Sequence, residues 1–288
     1  MVDPKMLTAQ IKETTRPDSR RSYRPSLSAS RANVLGVGVH AVNLDRAVEI
    51  IEDAARTDQR GYVCVTGVHG VMEAQRNSQF KAALDNALMV VPDGVPTVWV
   101  GRWQGNPRMG RVFGPDLMRE LCRRSPKTGL SHFLYGGKPG IAEELKANLE
   151  RKFPGINVVG TYTPPFRPLS EAEKSELQTE LVRTRPDIFW IGLSTPKQEQ
   201  FMAENFGSLD CRIMIGVGAA FDIHTGHVQD APQWIKNAGM QWLHRLFQEP
   251  SRLWKRYLVN NSAFVYRMVL QLAGLKQYRL ASQESAGD

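Results

Sequence analysis

Val90-Val91-Pro92-Asp93-Gly94-Val95-Pro96 is the stretch from which the fold is read. An apolar run ends in a proline, one carboxylate sits on a glycine turn, and a second proline stops the backbone flexing. A half-buried strand that delivers Asp93 to its carboxyl end has this form, and in open α/β sheets those strand ends make the ligand crevice. An Asp-Gly pair that only caps a turn has the same form. Both readings stand on the local residues, and the neighbouring segments decide between them.

Strand-like apolar runs occur at 34–39, 62–66, 88–91, 132–135, 157–161, 188–193 and 212–217. Amphipathic helical patterns lie between most of them, at 45–56, 68–76, 115–124, 140–153, 170–185 and 197–205. Strands that are continuous apolar runs, alternating with helices, predict an α/β fold. The expected form is Rossmann-like, a mainly parallel sheet with helices on both faces, spanning residues 34–233. Residues 1–33 hold Pro4, Pro17 and Pro25 with scattered Ser and Arg, and read as a disordered basic tail; residues 281–288 read as a disordered end.

From about Ala231 the character changes, and residues 234–280 read as a C-terminal helical amphipathic appendage. Trp234, Trp242, Phe247, Trp254, Tyr257, Phe264 and Tyr266 mix with Arg and Lys. Pro250 suits the first turn of a new helix. Beyond it Leu253, Trp254, Tyr257 and Leu258 are spaced for one face, with Arg252, Lys255 and Arg256 flanking it. An apolar face carrying Trp and rimmed by basic residues is the pattern of a helix lying in a bilayer interface. Packing on its own domain, or on a second copy in a homo-oligomer, are the other readings.

Charge points the same way. The net charge is +8, but residues 1–33 and 241–280 together carry +10, which leaves the remainder at −2. Basic ends suit an anionic membrane surface or nucleic acid; no nucleic-acid motif is present, so no nucleic-acid partner is expected. No run of about 18 apolar residues occurs, so no spanning helix is expected. Met1 to Arg31 lacks a signal-peptide core. Cys64, Cys122 and Cys211, odd in number and set in apolar runs, read as reduced core residues of a cytoplasmic protein.

Several strand-to-helix junctions carry candidate chemistry. In Leu134-Tyr135-Gly136-Gly137-Lys138-Pro139-Gly140, Gly136 and Gly137 would let backbone amides approach a phosphate at a helix N-terminus, or would make a tight turn. About 20 residues on, where a dinucleotide site carries an acidic residue, the chain reads Val158-Val159-Gly160-Thr161, which speaks against a dehydrogenase. At Ser194-Thr195-Pro196-Lys197-Gln198-Glu199, capping explains Thr195 and Pro196 but does not require Lys197 or Gln198. Asp222, after Gly216-Val217-Gly218-Ala219-Ala220-Phe221, would bind a sugar hydroxyl or fix a loop. Thr66 would position a sugar or cap a helix, and His69 would act as a base or as a structural hydrogen bonder. There is no Asp-x-Asp triplet, no His/Cys cluster and no HExxH, so neither a metal nor another cofactor is expected.

Taken together these pieces resemble the WecG/TagA/CpsF glycosyltransferase family, from about Val34 to Tyr257. The resemblance rests on Val65-Thr66, Pro92-Asp93-Gly94, the run Arg111 to Leu117, Gly136-Gly137, Pro196-Lys197-Gln198-Glu199, the run Gly216 to Asp222, and Arg245-Leu246 with the run Gln248 to Tyr257. It implies inverting, metal-independent transfer from a UDP-sugar to a polyprenyl-diphosphate-linked saccharide, by a peripheral protein on the inner face of the plasma membrane. On it the catalytic aspartate is Asp93 and the assisting threonine is Thr66. Gln198 helps hold the UDP-sugar. Arg245, Arg252 and Arg256 complete the site, Lys255 being the alternative to the last. Apart from the resemblance, a UDP leaving group without a metal needs positive charge, for which Lys197, Arg245, Arg252 and the Gly136-Gly137 turn are candidates, and Arg111 is a further substrate-binding candidate. Gly67-Val68-His69-Gly70 and Leu193-Ser194-Thr195 depart from some members and look like the exopolysaccharide-assembly branch. A donor of UDP-glucose, another hexose or a uronic acid then stands beside N-acetylmannosamine. A non-catalytic nucleotide-sugar-binding regulator on the same fold is the rival expectation.

Overall fold

The computed structural model describes residues 29–57, 59–237 and 239–281. The chain opens with β1 (Arg31–Val34) and β2 (Val37–His40), then α1 (Leu44–Arg56), β3 (Gly61–Thr66), α2 (Val68–Ala74), α3 (Ser78–Asp85) and β4 (Met89–Pro92). It continues through α4 (Val95–Trp103), α5 (Gly114–Thr128), β5 (Ser131–Gly136), α6 (Ile141–Lys152), β6 (Asn157–Tyr162) and α7 (Glu171–Thr184). Then come β7 (Ile188–Gly192), α8 (Lys197–Asn205), β8 (Ile213–Gly216) and α9 (Ala220–Thr225). Three helices close the chain: α10 (Gln233–Asn237), α11 (Gln241–Gln248) and α12 (Pro250–Leu272).

Six strands form one sheet in the order β4-β3-β8-β7-β5-β6. Every neighbouring pair is parallel, so all six carboxyl ends lie on one edge. Alternate strand residues face opposite sides, as the pleat requires. Val63, Leu134, Trp190 and Ile215 meet Val48, Ile51, Leu117 and Leu145 from α1, α5 and α6. Cys64, Tyr135, Phe189 and Met214 meet Met72, Phe80, Leu181 and Met202 from α2, α3, α7 and α8. Burial on both faces is why β3, β4, β5, β7 and β8 are largely apolar, while edge strand β6 is buried only at Val158; the expected Rossmann-like α/β architecture is what forms.

The run 34–39, expected as one strand, is instead the middle of a hairpin. Leu35 and Gly36 take φ of 52° and 79°, turning the chain so that β1 pairs antiparallel with β2, from Arg31↔His40 to Val34↔Val37. The tail boundary drawn at residue 33 therefore cuts through β1; residues 1–28 and 282–288 lie outside the described residues. Pro96 was expected to stop the backbone flexing. It stands in the first turn of α4, where its missing N–H has no helical partner to lose.

The C-terminal helices return along the core. On α12, Leu253, Asn260, Phe264 and Met268 are buried, and the helix runs beside α2. Trp254 and Leu258 point away and are exposed. The four residues expected to share one face are thus divided, Leu253 serving the protein core. Beyond the helix, Asn33 Nδ2 donates to the Tyr278 carbonyl (2.6 Å). Gln271 accepts from Leu35 N (2.9 Å) and donates to the Asn33 carbonyl (2.9 Å). These bonds pin the end of α12 to the hairpin that begins the fold. Among the described residues no helix is long and apolar enough to cross a membrane.

Candidate active site

Parallel pairing places β3 and β4 side by side with Thr66 opposite Pro92. The Asp93 amide donates to the Thr66 carbonyl (2.9 Å), so the expected catalytic aspartate and threonine meet across adjacent strand ends. The backbone is tight here: a Cβ on Gly67 would stand 2.2 Å from the Asp93 carbonyl oxygen, and Gly94 has φ of +124°. Both glycines are therefore needed to bring the two turns together. The Thr66 hydroxyl is buried and has no hydrogen-bond partner among the described residues. A buried hydroxyl left unpaired costs about 1–3 kcal/mol, the kind of cost that a bound ligand removes.

The Asp93 side chain keeps 34% of its surface exposed, and Arg111 Nε lies 3.9 Å from its Oδ1. Burial raises its carboxyl above the ordinary range; Arg111 and then Arg245 pull it back, while Asp116 adds to the rise. Such a carboxylate holds a proton more readily than a solvated one, which suits a general base. Arg111 is held on two further sides. Its guanidinium lies 4.4 Å from the Phe113 ring centre, and it donates to the Gln241 side chain on α11. Gln241 in turn donates to Asp230 (3.4 Å). Lys236, buried on α10, pairs with Asp230 and lies 3.8 Å from Asp116. The C-terminal helices thus reach Asp93 through Arg111. Sequence reading named Arg111 and Arg245 but missed Gln241, Lys236, Asp230 and Phe113. Burial of a lysine has no local sequence signal, although Phe113 stands inside the motif that contains Arg111.

Farther along the same edge the glycine turn after β5 is built differently. A Cβ on Gly136 would come within 2.7 Å of the Gly192 carbonyl oxygen, and the Gly137 amide already donates to that carbonyl (3.3 Å). The first turn of α6 carries Glu143 and Glu144, which complement the positive end of the helix dipole themselves. Close packing of β5 on β7 accounts for Gly136, whereas Gly137, with φ of +79°, lies against Ile141 and Phe221, and no side chain caps the first amides of α6.

Between these ends, Gln198 is only 3% exposed. Its carbonyl accepts from Gly218 N (3.0 Å) and its amide donates to Glu199 (3.1 Å), so it braces the β7 and β8 loops from inside. Glu199 also accepts from the Thr195 hydroxyl (2.9 Å), and burial raises its carboxyl. Lys197 is exposed at the start of α8, and Asp222 lies half-buried in the first turn of α9. His69 is tied to Asn260 of α12 (3.1 Å), consistent with its structural reading. Arg245 lies on α11. Arg252 and Arg256 fall on α12, but their side chains lie outside what the structure describes.

A parallel sheet with helices on both faces defines a Rossmann-like α/β protein, and its carboxyl edge here gathers a carboxylate, a hydroxyl and a guanidinium group. The chain belongs to the glycosyl transferase WecG/TagA/CpsF family, whose model matches residues 32–278. It is 28% identical over 186 residues to the N-acetylglucosaminyldiphosphoundecaprenol N-acetyl-beta-D-mannosaminyltransferase of Bacillus spizizenii, across 65% of this chain and 70% of that protein.

Proposed function

We propose that the chain is an inverting, metal-independent glycosyltransferase. It moves a sugar from a UDP-sugar to a polyprenyl-diphosphate-linked saccharide in cell-surface polysaccharide assembly, at the inner face of the membrane. The observation that carries this reading is Asp93, a half-buried strand-end carboxylate with a raised proton affinity and two arginines acting on it. The Bacillus relative is named for transfer to a diphosphoundecaprenol-linked sugar, which supports a lipid-linked acceptor here.

Asp93 takes the proton of the acceptor hydroxyl as that oxygen attacks the anomeric carbon from the face opposite the nucleotide. The new glycosidic bond forms as the bond from the anomeric carbon to the phosphate oxygen breaks, and UDP leaves with the electron pair. Arg111, Arg245 and exposed Lys197 supply positive charge to the departing diphosphate without a metal. The unpaired Thr66 hydroxyl donates to the sugars beside Asp93. Gln198, working from inside the protein, holds the loops against which the donor lies.

UDP release is the test, measured with a panel of UDP-sugars and lipid-linked oligosaccharide in the presence of EDTA. Release with one donor identifies the sugar transferred and supports the metal-free reaction. Release that EDTA abolishes overturns the metal-free step, and silence with every donor favours the regulatory alternative.

A further inference from the structure

We infer that the tip formed by the end of α4 and the loop after it is a membrane-docking element that seats the Asp93 site on an anionic bilayer. It is separate from the C-terminal appendage. This inference rests on the proposed lipid-linked acceptor.

Trp99 and Trp103, one helical turn apart, are 62% and 72% exposed. Two large aromatics side by side in water form an apolar patch of the kind that marks a contact surface. The stretch that carries them has charge of one sign: from Gly94 to Pro115 the chain has no acidic residue, while it carries Arg102, Arg108 and Arg111. Arg111 is turned inward toward Asp93, whereas Arg102, next to Trp103 in the chain, and Arg108, in the loop that follows, are exposed. Tryptophan with arginine is the composition that settles at the headgroup level of an anionic membrane.

The tip is held as a unit. Arg102 Nε donates to the Met109 carbonyl (2.8 Å) and Asn106 to the Gly101 carbonyl (3.2 Å). Gln104 exchanges two hydrogen bonds with the Asn33 backbone of β1 (2.7 and 2.8 Å). A braced tip presents its tryptophans at little further cost in conformational entropy.

Geometry then links the patch to the chemistry. Helix α4 starts two residues after Asp93 and has 9 residues, a length of roughly 14 Å. In the acceptor one diphosphate and the linked saccharide separate the reactive hydroxyl from the isoprenoid chain, a span of the same order. Trp103 ends that helix and Trp99 stands one turn nearer its start, so a protein seated on this tip holds Asp93 within about one helix length of the surface, inside the reach of the acceptor hydroxyl. The occupant of the patch is the bilayer surface, not a protein partner.

Sedimentation of the full chain with phosphatidylglycerol–phosphatidylcholine vesicles tests this. The W99A/W103A variant should partition on the order of tenfold more weakly than the parent, and W99F/W103F should recover most of the loss. Both positions are exposed, and an unchanged thermal midpoint verifies that the variants fold. Partition unchanged in W99A/W103A, or no binding of the parent protein to these vesicles, overturns the inference. So does a fall in solution mass in W99A/W103A with vesicle binding retained, which assigns the patch to a second copy. Turnover of the parent protein on a short-chain, water-soluble acceptor reports on the enzyme reading separately. Turnover without vesicle binding sinks the docking tip alone; vesicle binding that depends on the tryptophans supports the tip whatever the turnover.

Discussion

The Asp93 and Gly136 ends of the sheet look alike in sequence: an apolar strand, a glycine turn, then a helix. Four strand spacings separate β4 from β5 in the sheet order, about 19 Å, and the two ends are built to opposite effect. At Gly136 the turn is partly taken up by the protein, with the Gly137 amide bonded to Gly192 and two glutamates at the helix start, although no side chain caps that helix. At Asp93 the polar groups are not fully used by the protein: the Thr66 hydroxyl has no partner among the described residues, and the carboxylate stays one-third exposed. The difference teaches that a glycine-rich strand end is not itself a site. What matters is whether its donors and charges are already used.

The sharpest way to break the comparison is Asp93→Asn, which keeps shape and removes the base. Sugar transfer should fall on the order of 10²- to 10⁴-fold with UDP affinity retained; turnover close to that of the parent protein would make Asp93 a turn residue after all. Gly67→Ala comes next. Its Cβ would stand 2.2 Å from the Asp93 carbonyl oxygen, so the backbone that carries the carboxylate must move. A loss of about 10²-fold in kcat is expected, larger than any effect from the Gly136 end.

Arg111→Gln should slow transfer by about tenfold or more at neutral pH and displace its pH profile. Burial lifts the Asp93 carboxyl and Arg111 is the largest opposing influence. The base works only when deprotonated, so activity is lost as pH falls through its pKa. Removing Arg111 raises that pKa, and the acid limb of kcat/KM moves to higher pH. A limb that stays in place would detach Arg111 from the base. The smallest effect is expected from Gly137→Ala. With φ of +79° and a Cβ 3.0 Å from Ile141, it should cost about 1–2 kcal/mol of stability, read as a few degrees of thermal midpoint, while kcat and KM hold. A raised KM for the donor at an unchanged midpoint would return the phosphate role to this turn.

How much of this was legible before any coordinates varies by element. Strands β3, β4, β5, β7 and β8 were readable because burial on both faces forces largely apolar runs, and β6 because Val158 and Val159 stand between turn residues. The hairpin was not, because its reversal depends on positive φ at Leu35 and Gly36 inside one apolar stretch. Helices α3, α4 and α9 escaped notice for a related reason: they are short, and α4 is apolar over most of its length, so periodicity does not show. On α12 the spacing of Leu253 and Trp254 suggested one face, yet neighbouring residues on a helix point about 100° apart and the core took Leu253 alone. The basic residues Arg111 and Arg245 were legible as motif positions. The way Gln241 and Phe113 hold Arg111 beside Asp93 was not.

By itself the sequence determined the α/β class and which strands end in glycine turns, with Asp93 the carboxylate at one of them. Those follow from local pattern, since apolar runs, turn glycines and proline positions express burial and backbone geometry directly. Only the tertiary structure decided which strand ends are neighbours, because parallel pairing joins segments far apart in the chain. It also decided that Gln198 faces inward, that Gly137 is already hydrogen-bonded, and that Trp99 and Trp103 stand in solvent. Each of these depends on whether another part of the chain fills the adjoining space, and no stretch of sequence records that on its own.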